Sequence, residues 1–439
     1  MVVLTQGKPG KLIFKFAIVA FASLFVQKLY GIIDGVVLGR LVGDIAYTAV
    51  GSTYLALTLE QTFCTGFCGA ISAYIARKIG KGNVEKKVIN QSCLNALACA
   101  IFFAFILSVT YTVGAKSILI LLRTPDELFS DAYVYLFING LRIPIEMVFC
   151  YATCASQAVS DSKLPSKFMI SSVVLNVVFD VVLVGPFRMG VAGAAIATVL
   201  ATLVSCVLLV SSAWRKHTEV VPHGELDLVE CRTITRFCLP MGCQAMFISI
   251  GGLFMQIAHN SLGVVYVTAA TSGTKIYNLL SCAFVAMGQA VTVYCAQNIG
   301  AGEVRRVRRG VSLCMGFVLF YSILSFLVLF LSCDFFTRLF LPEATSEIVE
   351  LSRQFTMYTV AFFVPLGAIN LYRNAIQGLG YTLLASLNGV FELVGRAFAA
   401  FVLVPIFGFN AACLMLPVCW VTACLFTVPA YFVCIRRKT

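Results

Sequence analysis

Charged side chains are scarce in this sequence: they make up 12% of 439 residues, where a soluble globular chain carries about 25%. Hydrophobic residues make up 60%, and the mean hydropathy is +0.93. A folded core cannot hide that much apolar surface, so most of it must face lipid. A soluble enzyme, a nucleic-acid-binding module and a disordered tail are thereby excluded. Histidine is nearly absent as well, and His217, His223 and His259 are too scattered to build a metal site. No Cys-x-x-Cys pair occurs among the 18 cysteines, which lie in apolar stretches, as in Cys64/Cys68 and Cys150/Cys154. In such places a thiol packs as a small hydrophobe. No cleavable signal peptide is expected, because Lys8 to Lys15 lead into a stretch too long for one.

What the sequence does have is long apolar runs. A run of about 20 residues crosses a bilayer as a helix. Twelve occur, at approximately 13–39, 45–76, 91–114, 132–156, 166–185, 191–213, 234–258, 264–297, 311–337, 348–376, 383–404 and 410–434. The breaks carry turn residues such as Gly80-Lys-Gly82, Thr124-Pro-Asp126, Gly185-Pro186 and Gly300-Ala-Gly302. Much of the basic charge behind the net +12 also lies there, in short runs such as Arg305, Arg306, Arg308 and Arg309. A nucleic-acid surface needs a continuous basic face on a domain, whereas short basic loops set membrane topology. With the N-terminus cytoplasmic, the inside segments hold 21 of 32 Lys and Arg. The outer loops then hold 5: Arg40, Lys116, Arg123, Arg188 and Arg338. Both termini are expected on the cytoplasmic side of a plasma membrane.

A shift of 220 positions lays the second half of the chain on the first. Gly31 falls on Gly251, Tyr74 on Tyr294, Gln157 on Gln377 and Ser166 on Ser386. Ile79-Gly80-x-Gly82-x-Val84 falls on Ile299-Gly300-x-Gly302-x-Val304, and Val182-Leu-Val184 on Val402-Leu-Val404. Six spans are an even number, so the halves are parallel repeats. The expected fold is all-α: twelve transmembrane helices in two pseudo-symmetric six-helix lobes. The lobes are placed at 1–213 and 234–439, joined by a cytoplasmic connector at 214–233. This is a transporter architecture.

Several stretches resemble one family. Gly31-Ile-Ile-Asp34-Gly-Val-Val-Leu-Gly-Arg40 resembles the first-helix signature of multidrug and toxic compound extrusion (MATE) transporters. Ser160-Asp-Ser-Lys-Leu-Pro165, Asn176-x-x-x-Asp180 and Gly190-Val-Ala-Gly-Ala-Ala-Ile-Ala-Thr198 are similar to later N-lobe motifs. Tyr372-Arg-Asn-Ala-Ile-Gln-Gly-Leu-Gly380 and Glu392-Leu-Val-Gly-Arg396 resemble the tenth and eleventh helices of bacterial members. The resemblance implies export of bulky, often cationic, organic compounds in exchange for H⁺ or Na⁺. It implies no other cofactor and no catalytic residues. The expected partners are small organic substrates, the coupling ion and the bilayer, and the expected state is a monomer.

Charges inside a membrane are costly, so each needs a partner or a function. Arg142 and Glu146 are four apart, as are Glu392 and Arg396, so each pair can neutralise itself and is expected to be structural. The resemblance adds Arg373 to the Glu392 group. Asp34, Asn176, Asp180 and Thr198 read differently. Counting along their helices at 1.5 Å per residue puts Asp34, Asp180 and Thr198 about 8–10 Å below the outer surface, with Asn176 a turn deeper. Two carboxylates, an amide oxygen and a hydroxyl at similar depth suit a hard cation, or one proton shared by the carboxylates. The family motifs place the N-lobe ion site on these four positions. In the second repeat they become Phe254, Arg396, Ala400 and Val418, so coupling is expected in the N-lobe alone. Members with acidic coupling residues in the seventh and tenth helices differ from this chain, which has Gln256, Asn370 and Asn374 there.

Glu60 and Lys275 have no opposite charge one helical turn away. The resemblance puts both helices beside a central cavity, so Glu60 is expected either to attract a cationic substrate or to pair with Lys275 or Lys28. The leading reading is a cation-coupled multidrug antiporter. A lipid-linked oligosaccharide flippase of the same superfamily would need more unpaired basic residues in its spans. An intramembrane enzyme would need a nucleophile–base pair or metal ligands on an interfacial loop, and none is seen.

Overall fold

The computed structural model describes residues 4–42, 44–82, 84–122, 124–341 and 344–438, with the side chains of 29–47 outside that description. A chain in lipid must satisfy its backbone N–H and C=O groups internally, and among the described residues it does so with helices and no strand. In order they are α1 (Pro9–Val42), α2 (Asp44–Gly80), α3 (Lys86–Val113), α4 (Ala115–Leu121), α5 (Asp126–Ala158), α6 (Lys163–Val184), α7 (Gly190–Lys216) and α8 (Leu228–Asn260). Then follow α9 (Val264–Gly300), α10 (Val304–Phe340), α11 (Ser346–Ala361), α12 (Phe363–Leu379), α13 (Thr382–Phe398), α14 (Val404–Phe407) and α15 (Phe409–Arg436). Each of the twelve apolar segments is helical. Among the described residues ten helical segments are long and apolar enough to cross a bilayer, and α11 with α12 make an eleventh, bent by 46°. Pro365 lies just past the bend and has no N–H to offer the Ala361 carbonyl, which loosens that turn.

The remaining segment is α2, rich in hydroxyls. These close onto their own helix: Ser52 donates to Ala49 O at 2.7 Å, Thr53 to Val50 O at 2.8 Å and Thr62 to Thr58 O at 2.8 Å. A hydroxyl satisfied in this way costs little in an apolar setting. Other helices leave bare apolar faces suited to lipid, as at Phe102, Phe105 and Val109 of α3 and Phe320, Leu327 and Leu331 of α10.

The chain forms two compact units. One contains Ala22–Gly242; the other contains Leu4–Phe21 and Cys243–Thr439. These cuts differ from the lobes drawn at 1–213 and 234–439, because α1 and α8 each divide between the units. In the first unit α5 packs against α2, α3 and α7, and α6 lies along α7. Its buried Tyr151 donates to Cys93 O at 2.9 Å. In the second unit α9 packs on α12, and α15 on α12 and α13. There the Phe363 ring meets Phe284 and Trp420 at centroid distances of 5.6 and 6.4 Å. All 18 cysteines are free thiols and fifteen are buried among these helices.

The repeat is visible in backbone geometry as well. Gly82 and Gly302, aligned by the 220-residue shift, have φ of 72° and 79°, a conformation that glycine adopts without strain. Each N–H closes a turn onto an isoleucine carbonyl, Ile79 at 3.2 Å and Ile299 at 3.1 Å.

Candidate functional site

Near the turn joining α6 to α7, α6 buries Asn176 and Asp180, which are 6% and 2% exposed and one helical turn apart. Asn176 Nδ2 donates to Thr198 Oγ1 of α7 at 3.4 Å, and that hydroxyl donates to Ala194 O at 3.1 Å. One turn beyond Asp180, Val184 packs with Tyr135, Val191 and Ala194, so the polar set is flanked by an apolar cluster. The structure thus joins Asn176 to Thr198 and puts Asp180 on the Asn176 face of α6. The fourth residue of the set, Asp34, belongs to α1, and its side chain lies outside the described residues.

A second charged group lies in the middle of α2 and α5. Arg142 donates through Nη1 to Glu146 Oε2 at 2.7 Å and through Nη2 to Glu60 Oε2 at 3.3 Å. Its Nε donates to Asn139 Oδ1 at 3.2 Å, and Asn139 Nδ2 donates to Tyr135 O at 2.9 Å. The pair expected from the four-residue spacing is therefore a triad. Within its own unit Glu60 is not paired with Lys28; facing α5, it reaches Arg142 instead. Its side chain has no exposed surface. Lys275, half-buried in α9, has no ion-pair partner among the described residues.

In the second unit Arg396 donates from Nη2 to Glu392 Oε2 at 3.4 Å and from Nη1 to Ile248 O at 2.6 Å. Glu392 also accepts from Asn388 Nδ2 at 2.7 Å, and Asn388 Oδ1 accepts from Thr427 at 2.6 Å. Arg373 does not join this group by ion pairing. It donates to Asn370 Oδ1, three residues back on its own helix, at 3.3 Å, and its buried Nε has no partner. Asn374 accepts from Thr292 at 2.9 Å and donates to Asn370 O at 2.7 Å, while Gln256 donates to Asn260 at 2.8 Å. The three amides that stand where other members carry acids are thus hydrogen-bonded within this unit.

Two acids matter that the sequence pattern did not single out. Asp161 lies in the loop before α6, where it accepts from the backbone N–H of Lys163 and Leu164 at 3.0 and 3.1 Å. It also pairs with Lys216 at 2.6 Å and His217 at 2.8 Å. Burial works to raise its pKa, but the hydrogen bonds from Lys216, His217 and Leu164 outweigh it and hold the carboxyl below its ordinary value. Glu230, at the start of α8, pairs with Lys78 and accepts from Tyr74 at 3.1 Å and Asn95 at 2.8 Å. It thereby ties the connector to α2 and α3. Its place just ahead of an apolar run was the only sign of it.

Two tandem helical repeats, each with buried charged groups at the middle of its helices, define a polytopic membrane protein built for transport. The chain belongs to the MatE family: the family model matches residues 20–182 and again 240–402, two stretches offset by the same 220 positions as the repeat. It is 26% identical over 381 residues to the protein named Probable multidrug resistance protein YpnP of Bacillus subtilis (strain 168), covering 85% of this chain and 83% of that one. It is 21% identical to a protein named FAD transporter of Shewanella oneidensis, covering 76% of this chain and 75% of that one. A crystal structure of MATE in complex with MaL6 shares the fold, with a TM-score of 0.90 at 19% identity over 99% of this chain and 98% of that one.

Proposed function

We propose that this chain is a multidrug exporter of the plasma membrane, moving amphiphilic, often cationic organic compounds out of the cell against an inward flow of H⁺ or Na⁺. The observation that carries the reading is the buried set on α6 and α7: Asp180 and Asn176 on one face, with Thr198 bonded to Asn176. A desolvated carboxylate with amide and hydroxyl oxygens nearby suits a proton or a hard cation. Asp34 of α1 supplies the second carboxylate. Filling the site removes charge from the N-terminal repeat, which biases that lobe between conformations and links ion entry to substrate release. The names of relatives such as YpnP support the substrate class.

The protein acts as a monomer with both termini in the cytoplasm, and the C-terminal repeat carries no coupling ion. A second reading is export of an anionic dinucleotide. The Shewanella relative's name suggests it, and it is favoured by Lys275, unpaired among the described residues, and by the Nε of Arg373, which has no hydrogen-bond partner among them. Efflux from proteoliposomes, with pH and Na⁺ gradients imposed separately, tests the main reading. One gradient should drive efflux of an organic cation such as ethidium; efflux driven by neither would overturn antiport. Efflux of FAD in the same vesicles would favour the second reading.

A further inference from the structure

Glu60 and Glu146 share a single guanidinium. Arg142 reaches both, at 3.3 and 2.7 Å, so two carboxylates meet one positive charge. The surroundings add no second cation among the described residues. On α2 itself Cys64 Sγ donates to Glu60 Oε1 at 3.4 Å, and on α5 Cys150 Sγ donates to Glu146 Oε1 at 3.7 Å. From α3, Tyr111 approaches, but its hydroxyl is used on Ala56 O at 2.6 Å. α7 offers only the thiol of Cys206 before Arg215. On α1, Lys28 is exposed. Arg40 is near the end of α1, whereas Glu60 is 16 residues into α2, about 24 Å along it. The triad therefore holds one uncompensated negative charge deep in the membrane-spanning part of the unit, where such a charge is costly.

The fold does not require the triad. In the second repeat the three positions are Leu280, Phe362 and Leu366, so an apolar filling serves there. The first repeat keeps a charged group with one carboxylate in excess.

We propose that Glu60 is a proton-binding site of this transporter, separate from the Asp34–Asp180 set, taking up and releasing one proton during transport. The proton lodges on Glu60 because Glu146 has the shorter bond to Arg142 and is 12% exposed, whereas the Glu60 side chain is fully enclosed. Protonation forms one O–H bond on Glu60 with a proton from water and leaves Arg142 and Glu146 as a neutral pair. The neighbours of the free carboxylate oxygens are thiols, which are poor ligands for Na⁺, so the site selects H⁺. As a step in coupling, this inference rests on the exporter reading.

The test reads the site without transport, so its failure and the failure of the exporter reading are distinguishable. Infrared difference spectra of the full-length protein in detergent, recorded between acid and alkaline pH, should show a carboxylic-acid band that is lost in Glu60→Gln and kept in Asp180→Asn. The band should persist when Na⁺ replaces K⁺ at fixed pH. Glu60→Gln, which keeps the shape and leaves a balanced Arg142–Glu146 pair, should unfold no earlier than the wild type on heating. Spectra identical in wild type and Glu60→Gln, displacement of the band by Na⁺, or a less stable Glu60→Gln would each overturn the proposal. The last would show that Glu60 is held as a structural anion. In proteoliposomes Glu60→Gln should alter the pH profile of ethidium efflux; an unchanged pH profile would equally count against the site.

Discussion

Gly251 leaves open the space that the Arg396 side chain fills: a Cβ at Gly251 would lie 2.7 Å from Arg396 Cδ. Arg396 cannot swing aside freely, because its guanidinium is bonded to Glu392 and to the Ile248 carbonyl. Gly251→Ala is therefore expected to destabilise the second unit by about 1–3 kcal/mol, as overpacking of a filled core does. Thermal unfolding of the purified variant in detergent checks this. A wild-type midpoint would show that the helices part at no cost.

Removing the arginine is expected to be worse. Arg396→Ala removes the directly bonded cation of the buried Glu392 and leaves Asn388 as its hydrogen-bond donor, a loss costing about 3–5 kcal/mol. The expected outcome is little folded protein in the membrane, measured by fluorescence-detected size exclusion. Normal yield with altered ion dependence would instead place Arg396 in the coupling machinery.

Asp34→Asn and Asp180→Asn should each abolish gradient-driven efflux while expression stays near wild type, since the amide keeps the shape and removes the charge. Thr198→Ala should be milder. It deletes the partner of Asn176 Nδ2 but leaves the carboxylate. Efflux by the Asp34→Asn/Asp180→Asn double variant at the wild-type rate, under either gradient, would rule the site out.

The Asp161 cluster makes stability fall in acid. Its carboxyl sits below the ordinary value in the folded protein, so it binds its proton more readily when unfolded. The stabilisation is complete above the unfolded value of about 3.9 and is lost as pH falls through the folded value. Asp161→Asn should thus lower the unfolding temperature at neutral pH, and its effect should shrink as pH falls below the ordinary carboxylate value of about 3.9. An effect that does not shrink would mean that the charge of Asp161 contributes nothing.

The basic-loop asymmetry predicts a cytoplasmic connector. A cysteine substituted for His223 in a cysteine-depleted background should react with an impermeant maleimide only after the membrane is opened. Labelling of intact cells from outside would invert the topology.

The helices were legible because lipid enforces a simple rule: long apolar runs, ended by glycine, proline or charge. Gly82 and Gly302 mark the repeat in sequence and in backbone angle alike. Glu392–Arg396 was legible too, since both ends of that contact lie on one helix. The Arg142–Glu60 contact was not, because its partners are 82 residues apart and periodicity names the face of a helix but not its neighbour. Arg373 feels the charge of Glu392 without bonding to it, because its own helix offers Asn370 at bonding distance. Glu230, in the first turn of α8, and Asp161, in the loop before α6, act through partners distant in sequence, which no periodic pattern encodes.

The division of α1 after Phe21 and of α8 after Gly242 falls, to within one residue, at the same point of the two repeats. Each unit therefore completes itself with the opening helical segment of the other half of the chain. A half-length ancestor with this packing would have been a dimer that exchanged the first half of its first helix, since neither copy could close its own bundle. Neither half-chain expressed alone therefore holds all the residues of either unit.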